Sequence, residues 1–300
     1  MPQFYAETAG VRPLIMPVVQ FPDASYHTDS TPILLALEEQ FPASRSILPD
    51  DEACAFVNLV IEDLADEWLT KSLFHYRFSA PEDQQSGAGW VMDDAYPDID
   101  AGLLASRVEE FIERQVSRMP LVGCTPANAA LLERFYDELL DCLEGYVAAE
   151  RFLFGSRPAL ADFAIYGQLS TLSRDPRGGR IIQSKAPRTL RWIRRLDDCS
   201  GVDGAWCAGQ KDLPAATVGL LRLAGTYYFP FLIANAKALA EGAEEVEVEI
   251  QGTRYAQPVY RYQGKCLDFL RKQFAALSPS ARDSLIPLLE ESGCLAALEG

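Results

Sequence analysis

The sequence predicts a mostly helical α+β protein: a small β-β-α unit at the start, an all-helical body, and a tail of helices around a β-hairpin. Three observations predict it. Residues 14–42 read as strand, turn, strand and capped helix. Apolar residues recur at helical spacing from Pro49 to about residue 208. In the tail, Val246, Val248 and Ile250 alternate with Glu245, Glu247 and Glu249, the period of a half-buried strand.

The first unit rests on two β-prone stretches, Leu14 to Met16 with Val18 and Val19, then Tyr26 to Thr28, on either side of the turn Phe21-Pro22-Asp23-Ala24. Pro17 cannot donate to a ladder, so it is expected at a strand start, where a cis bond is admissible. Asp29-Ser30-Thr31-Pro32 then opens a helix. Asp or Ser accepts an orphan amide, proline suits the first turn, and Ile33, Leu34 and Leu37 supply the apolar face.

In the body, residues 53–78 carry Phe56, Val60, Leu64, Trp68 and Ser72 at four-residue steps, with Val57, Ile61 and Leu69 alongside, the pattern of one long amphipathic helix. Its acids lie toward the first half and Lys71 and Arg77 toward the end, which complements the helix dipole. Trp68, Ser72, His75 and Tyr76 share a face near that end. Residues 79–99, rich in Pro, Gly, Asp, Ser and Gln, predict a long loop. Helical spacing returns over 103–119, 127–149 and 160–172, with Pro120 and Pro126 separating the first two. In the tail, residues 227–239 predict a helix after an aromatic start. Gln251-Gly252 turns the strand into a hairpin, and 262–274 and 281–291 predict two more helices. Tyr227, Tyr228, Tyr255, Tyr260, Tyr262 and Lys265 fit either a cover over a ligand cleft or extra core.

Strand, Met16-Pro17, strand and an acidic-Ser helix start, in that order, resemble the second half of the thioredoxin-like domain of glutathione transferases. The resemblance implies that the backbone of Met16, beside Pro17, meets the cysteinyl part of glutathione, and that Asp29 and Ser30 bind its γ-glutamyl end. Elementary electrostatics agrees: a helix N-terminus with a hydroxyl suits a carboxylate, and an aspartate suits an ammonium. The same Asp-Ser pair also reads as a plain N-cap. A second run, Phe152-Leu-Phe-Gly-Ser-Arg-Pro-Ala-Leu-Ala-Asp-Phe-Ala-Ile-Tyr-Gly167, is similar to the family's Gly-x-x-Pro-Ser/Thr-x-Ala-Asp motif, in which the hydroxyl caps a buried helix and the Asp reaches back to the cap residue's backbone. Ala159 stands at the hydroxyl position, a loss of about 1 kcal/mol, and Asp162 keeps a structural role.

By the same resemblance the helix carrying Trp68, Ser72, His75 and Tyr76 lines the pocket for an electrophilic substrate. Core packing for Trp68 and a satisfied histidine at 75 are the alternative. The resemblance divides the chain into a partial thioredoxin-like unit (1–48), a helical glutathione transferase C-terminal domain (49–208) and a C-terminal extension (209–300) similar to that of an extended bacterial subgroup. Only Met1 to Val11 precede the first motif, too few for the strand-helix-strand that opens the family's domain. The expectation is therefore that no residue here matches the family's catalytic Ser, Tyr or Cys; a chain start assigned late gives the same pattern.

Composition narrows the classes. With 43 acidic against 27 basic side chains, a formal charge of −16 repels nucleic acid and anionic membrane surfaces. The N-terminus has no signal-peptide pattern and no run is expected to span a bilayer, so the expected location is cytoplasmic. Seven scattered cysteines with no CxxC, and only His27 and His75, predict reduced thiols and no metal site. The resemblance thus implies glutathione-dependent conjugation of a small electrophile, with glutathione as substrate and a homodimer as the usual assembly. The alternative is a noncatalytic ligand-binding or interaction protein of the same fold.

Overall fold

A computed structural model describes residues 6–12, 14–42, 45–146 and 151–300; residues 1–5, Pro13 and the end of the helix expected over 127–149 lie outside the described residues. Strands β1 (Val18–Gln20) and β2 (Tyr26–Thr28) pair antiparallel, with Val19 opposite His27. The turn between them is fixed by Asp23, whose Oδ1 accepts from both the N–H and the hydroxyl of Ser25. Leu14 to Met16 do not join the ladder as expected. Pro17, after a cis Met16–Pro17 bond, brings no N–H to it, and pairing begins at Val18. Helix α1 (Ser30–Gln40) follows, with Ile33 its buried residue.

The body is built around one long helical run: α2 (Glu52–Leu64), a π turn (Ala65–Leu69) and α3 (Thr70–Phe78). Asp51 caps α2 by accepting from the Cys54 N–H at 2.8 Å. The expected amphipathic stripe is buried, but so is most of the opposite face, including Asn58, Glu62, Asp63 and Lys71. A helix buried nearly all round is central, not lateral. Lys71 is accordingly not a surface charge facing the dipole.

The loop expected over 79–99 is instead helix α4 (Pro81–Ala95). Pro81 sits in its first turn with Glu82 and Asp83, as helix starts favour. Tertiary contacts override its weak composition: buried Asp83 accepts from the Arg177 N–H at 2.9 Å. Gly87 lies so close to Arg77 that a Cβ would stand 2.4 Å from its Nε. Helix α5 (Ala101–Val116) packs on α4 through Ala88, Met92 and Val108.

Helices α6 (Ala129–Tyr146), α7 (Leu160–Leu172), α8 (Pro176–Lys185) and α9 (Pro187–Leu196) complete the body. Asp162, fully buried, accepts from the N–H groups of Ala159 (2.8 Å) and Leu153 (3.0 Å). Burial holds its carboxyl at about 7, against those two bonds. The hydroxyl missing at Ala159 is replaced from outside the helix, because Asn58 Oδ1 on α2 accepts from the Ala161 N–H at 2.9 Å.

In the tail, α10 (Ala215–Leu223), a second π turn (Ala224–Tyr228) and α11 (Phe229–Glu241) form a continuous run. This run corrects one expectation: it is long and apolar enough to cross a bilayer by length and composition. Its apolar side chains, among them Leu220, Leu221, Tyr227, Tyr228 and Phe231, are buried in the core of the chain. Strands β3 (Glu245–Ile250) and β4 (Thr253–Pro258) pair around Gln251 and Gly252, both at positive φ (52° and 69°), the two-residue turn that suits a twisted hairpin. Helices α12 (Arg261–Ala276), α13 (Pro279–Ser292) and α14 (Leu295–Glu299) close the chain. A single core cluster runs from Ala53 to Leu298, so the tail is part of the body's core.

Candidate functional site

The two π turns face one another. Each shifts the helix by one residue and redirects its side chains. Trp68 from the first turn meets Tyr228 from the second at 6.4 Å between ring centroids, with Phe231 at 5.4 Å, Tyr255 at 5.3 Å and Phe135 at 6.2 Å. The Tyr228 hydroxyl donates to Asp63 Oδ2 at 2.8 Å. While Trp68 turns inward, its neighbours Asp66 and Glu67 turn to a cleft of about 490 Å³.

That cleft joins four distant parts of the chain. Ile15, Met16, Asp29 and Ser30 come from the first unit, and Asp66, Glu67, Thr70 and Lys71 from the central helix. Leu121 and Val122 come from the short 3-10 turn before α6, and Gln257, Tyr260, Tyr262 and Gln263 from the tail. Four of the nine large apolar side chains that stand exposed among the described residues, Ile15, Met16, Leu121 and Tyr260, lie on it. Such clustering marks a surface built for a ligand or a cover.

Asp29 occupies the N-cap position of α1 at φ 76°, ψ 132°, a backbone state that side-chain-bearing residues rarely adopt, and its carboxylate does not cap the helix. Instead Asp29 Oδ2 accepts from the Tyr262 hydroxyl at 2.6 Å, and burial, with this contact, pushes the Tyr262 phenol upward. The plain N-cap alternative for Asp29 therefore fails. Thr31, two residues on, donates to Glu62 Oε1 and ties α1 to α2. Burial raises Glu62 to about 8, with the charges of Asp63 and Asp66 adding to it.

Lys71 forms the floor. Its Nζ donates to Gln257 Oε1 (2.8 Å) and to the Val122 carbonyl (3.1 Å) and lies 4.8 Å from the Phe231 ring centroid. Burial lowers it to about 8. Gln257 also accepts from the Tyr255 hydroxyl at 2.7 Å, and Asn128 joins the body to the hairpin through the carbonyls of Gly123 and Ala256, both at 2.8 Å. Gly123 is required there: at φ 77°, a Cβ would meet the Tyr255 hydroxyl at 2.0 Å. Burial first, and then the charges of Asp63 and Asp66, raise Glu67 to about 7. Asp66 is raised by burial and by Asp29.

The structure brings Met16, Asp29 and Ser30 to one cleft, with Pro17 adjoining Met16. It does not bring Trp68, Ser72, His75 or Tyr76 there. Trp68 and Ser72 are core, and Ser72 donates to the Leu132 carbonyl. Tyr76 is buried against Tyr136 at 4.9 Å. His75, also buried, bonds Glu133 Oε1 at 2.9 Å and borders a separate depression beside Met119 and Cys124. Of the tail aromatics, Tyr227, Tyr228 and Tyr255 are core, whereas Tyr260 and Tyr262 line the cleft. Sequence reasoning missed Asp66, Glu67 and Gln263. The adjacent acids interrupting an otherwise apolar helix were the available signal for the first two.

Residues 126–195 match the family model of the glutathione S-transferase C-terminal domain, so the segment from α6 to α9 is a domain of that class. The match supports a glutathione S-transferase assignment for the chain. No curated protein matches it.

Proposed function

We propose that this is a cytoplasmic glutathione S-transferase-like protein whose cleft takes glutathione. The backbone of Met16 beside Pro17 meets the cysteinyl part, Asp29 the γ-glutamyl ammonium, and Ser30 with the first-turn amides of α1 the adjacent carboxylate. The observation carrying this reading is that Met16, Asp29 and Ser30 border one cleft, with Asp29 held in a rare backbone state and not used as a cap. The division into a partial thioredoxin-like unit, a helical domain and an extension belongs to the same reading, as does the family's usual homodimer.

Conjugation to a small electrophile is the activity such a site serves. A second reading, binding without conjugation, is favoured by the charges around the cleft. Asp29, Asp66 and Glu67 surround it, and nearby carboxylates raise a thiol pKa, whereas conjugation needs the thiol lowered. Calorimetry at millimolar glutathione tests the shared core: we expect saturable binding that Ser30→Ala weakens by about 1 to 3 kcal/mol. No binding by the folded protein rejects it. Rapid conjugation of glutathione to a generic aromatic electrophile selects the enzyme, and binding without turnover selects the second reading.

A further inference from the structure

We propose that the cleft also takes a second small molecule, an ammonium ion on an apolar alkyl or arylalkyl body, with its charge at Asp66, Glu67 and Gln263 and its body against the exposed apolar rim. This rests on the cleft being a ligand site, as above, but not on glutathione being that ligand.

Gln263 supplies the most specific observation. The residue is 4 % exposed and lines the cleft, and its Oε1 is buried with no hydrogen-bond donor. Its Nε2 faces the Glu67 carbonyl at 3.5 Å, which fixes the amide orientation, since the flipped form would set two oxygens together. A carboxamide oxygen only accepts, so the group it lacks is a donor. Buried polar groups without partners are costly and uncommon, and a ligand is one of the ways they are satisfied.

The surrounding charge selects the kind of donor. Asp66 has no hydrogen-bond or ion-pair partner among the described residues, and Glu67 lies beside it. Among the described residues the one basic side chain on the cleft, Lys71, is 1 % exposed and donates its ammonium hydrogens to Val122 and Gln257. A cation entering here meets carboxyl groups raised chiefly by burial, Asp66 also by Asp29 and Glu67 also by Asp63 and Asp66, and its arrival offsets that crowding of negative charge. The apolar side chains exposed at the rim, Ile15, Met16, Leu121 and Tyr260, then cover a hydrocarbon body, and Tyr260 adds an aromatic face for the cation. An anion on the same body keeps the apolar contacts but is repelled by the carboxylates, and a neutral thiol brings only a weak donor and no charge.

The test is calorimetry on the full chain with 4-phenylbutylammonium, 4-phenylbutan-1-ol and 4-phenylbutanoate, each with and without saturating glutathione. We expect the ammonium to bind about tenfold or more tightly than the alcohol, and the carboxylate not to bind. Asp66→Asn, a near-isosteric change at a partly buried position, should weaken the ammonium about tenfold while leaving the alcohol unchanged, and Gln263→Leu should do the same in the folded variant. Equal binding of ammonium and alcohol, no ammonium binding, or indifference to Asp66→Asn overturns the inference. Glutathione binding without ammonium binding rejects this inference alone. Ammonium binding without glutathione binding rejects the glutathione reading alone.

Discussion

Two antiparallel hairpins lie at opposite ends of this chain, and they divide the work of the cleft. The first, β1 with β2, has three-residue strands whose side chains are at most half-buried, and it adds nothing to the main core. The second, β3 with β4, has six-residue strands and buries Val246, Ile250 and Tyr255 in that core. Both reach the cleft, the first unit through Met16, Asp29 and Ser30 and the second hairpin through Gln257. One side of the site is therefore rigid and bound to the fold's stability, and the other is held by a few polar ties. Loosely held elements are where ligand response is drawn from.

The sharpest way to break this comparison is to truncate each hairpin. Tyr255→Ala removes a fully buried ring that touches Trp68 and Phe231 and should cost about 3 to 5 kcal/mol in denaturant unfolding. Val19→Ala should change the same measurement by no more than about 0.5 kcal/mol. Equal losses would refute the division of labour. Next in size, Asp162→Ala strands the N–H groups of Ala159 and Leu153 and should cost about 1 to 3 kcal/mol with glutathione affinity unchanged. If affinity vanished without loss of stability, Asp162 would belong to the site.

A pH series probes the stable side. Glu62 is raised to about 8, and Asp63, Glu67 and Asp162 to about 7, chiefly by burial. Between their ordinary carboxyl values and these, the folded chain holds more protons than the unfolded one, so stability falls as pH rises through that window. We expect Tm to drop by about 2 to 6 °C from pH 5.5 to pH 8. A rising Tm would contradict the burial of these acids. A small and local effect completes the series: Tyr262→Phe removes the bond to Asp29, should cost about 1 kcal/mol or less, and should speed amide exchange in residues 18–40 while sparing β3 and β4. Uniform exchange across both hairpins would show that they are equally anchored.

Much of the fold was legible in local pattern. Helix α7 has the expected bounds, Leu160–Leu172, because its apolar spacing and its Asp162 signal are both local. The Gln251-Gly252 turn and the cis bond at Pro17 follow from side-chain constraints within a few residues. What escaped depends on distant partners. Helix α4 has a loop's composition and is held by Arg77 and Arg177. The inward turn of Trp68 and the outward turn of Asp66 and Glu67 depend on a π turn that no spacing rule announces. Of the site, Met16, Asp29 and Ser30 were readable from the first motif. Gln263 was not, since its meaning depends on Glu67, 196 residues away.

The bond from Tyr262 to Asp29 spans 233 residues, and so it orders events during synthesis. A chain made from the N-terminus at about 5 to 20 residues per second has Asp29 joined roughly 12 to 47 s before Tyr262. Throughout that interval the first unit has its cleft-lining residues but lacks the Tyr262 wall that closes on Asp29. The nascent protein therefore carries this cleft unclosed on one side until Tyr262 has been made.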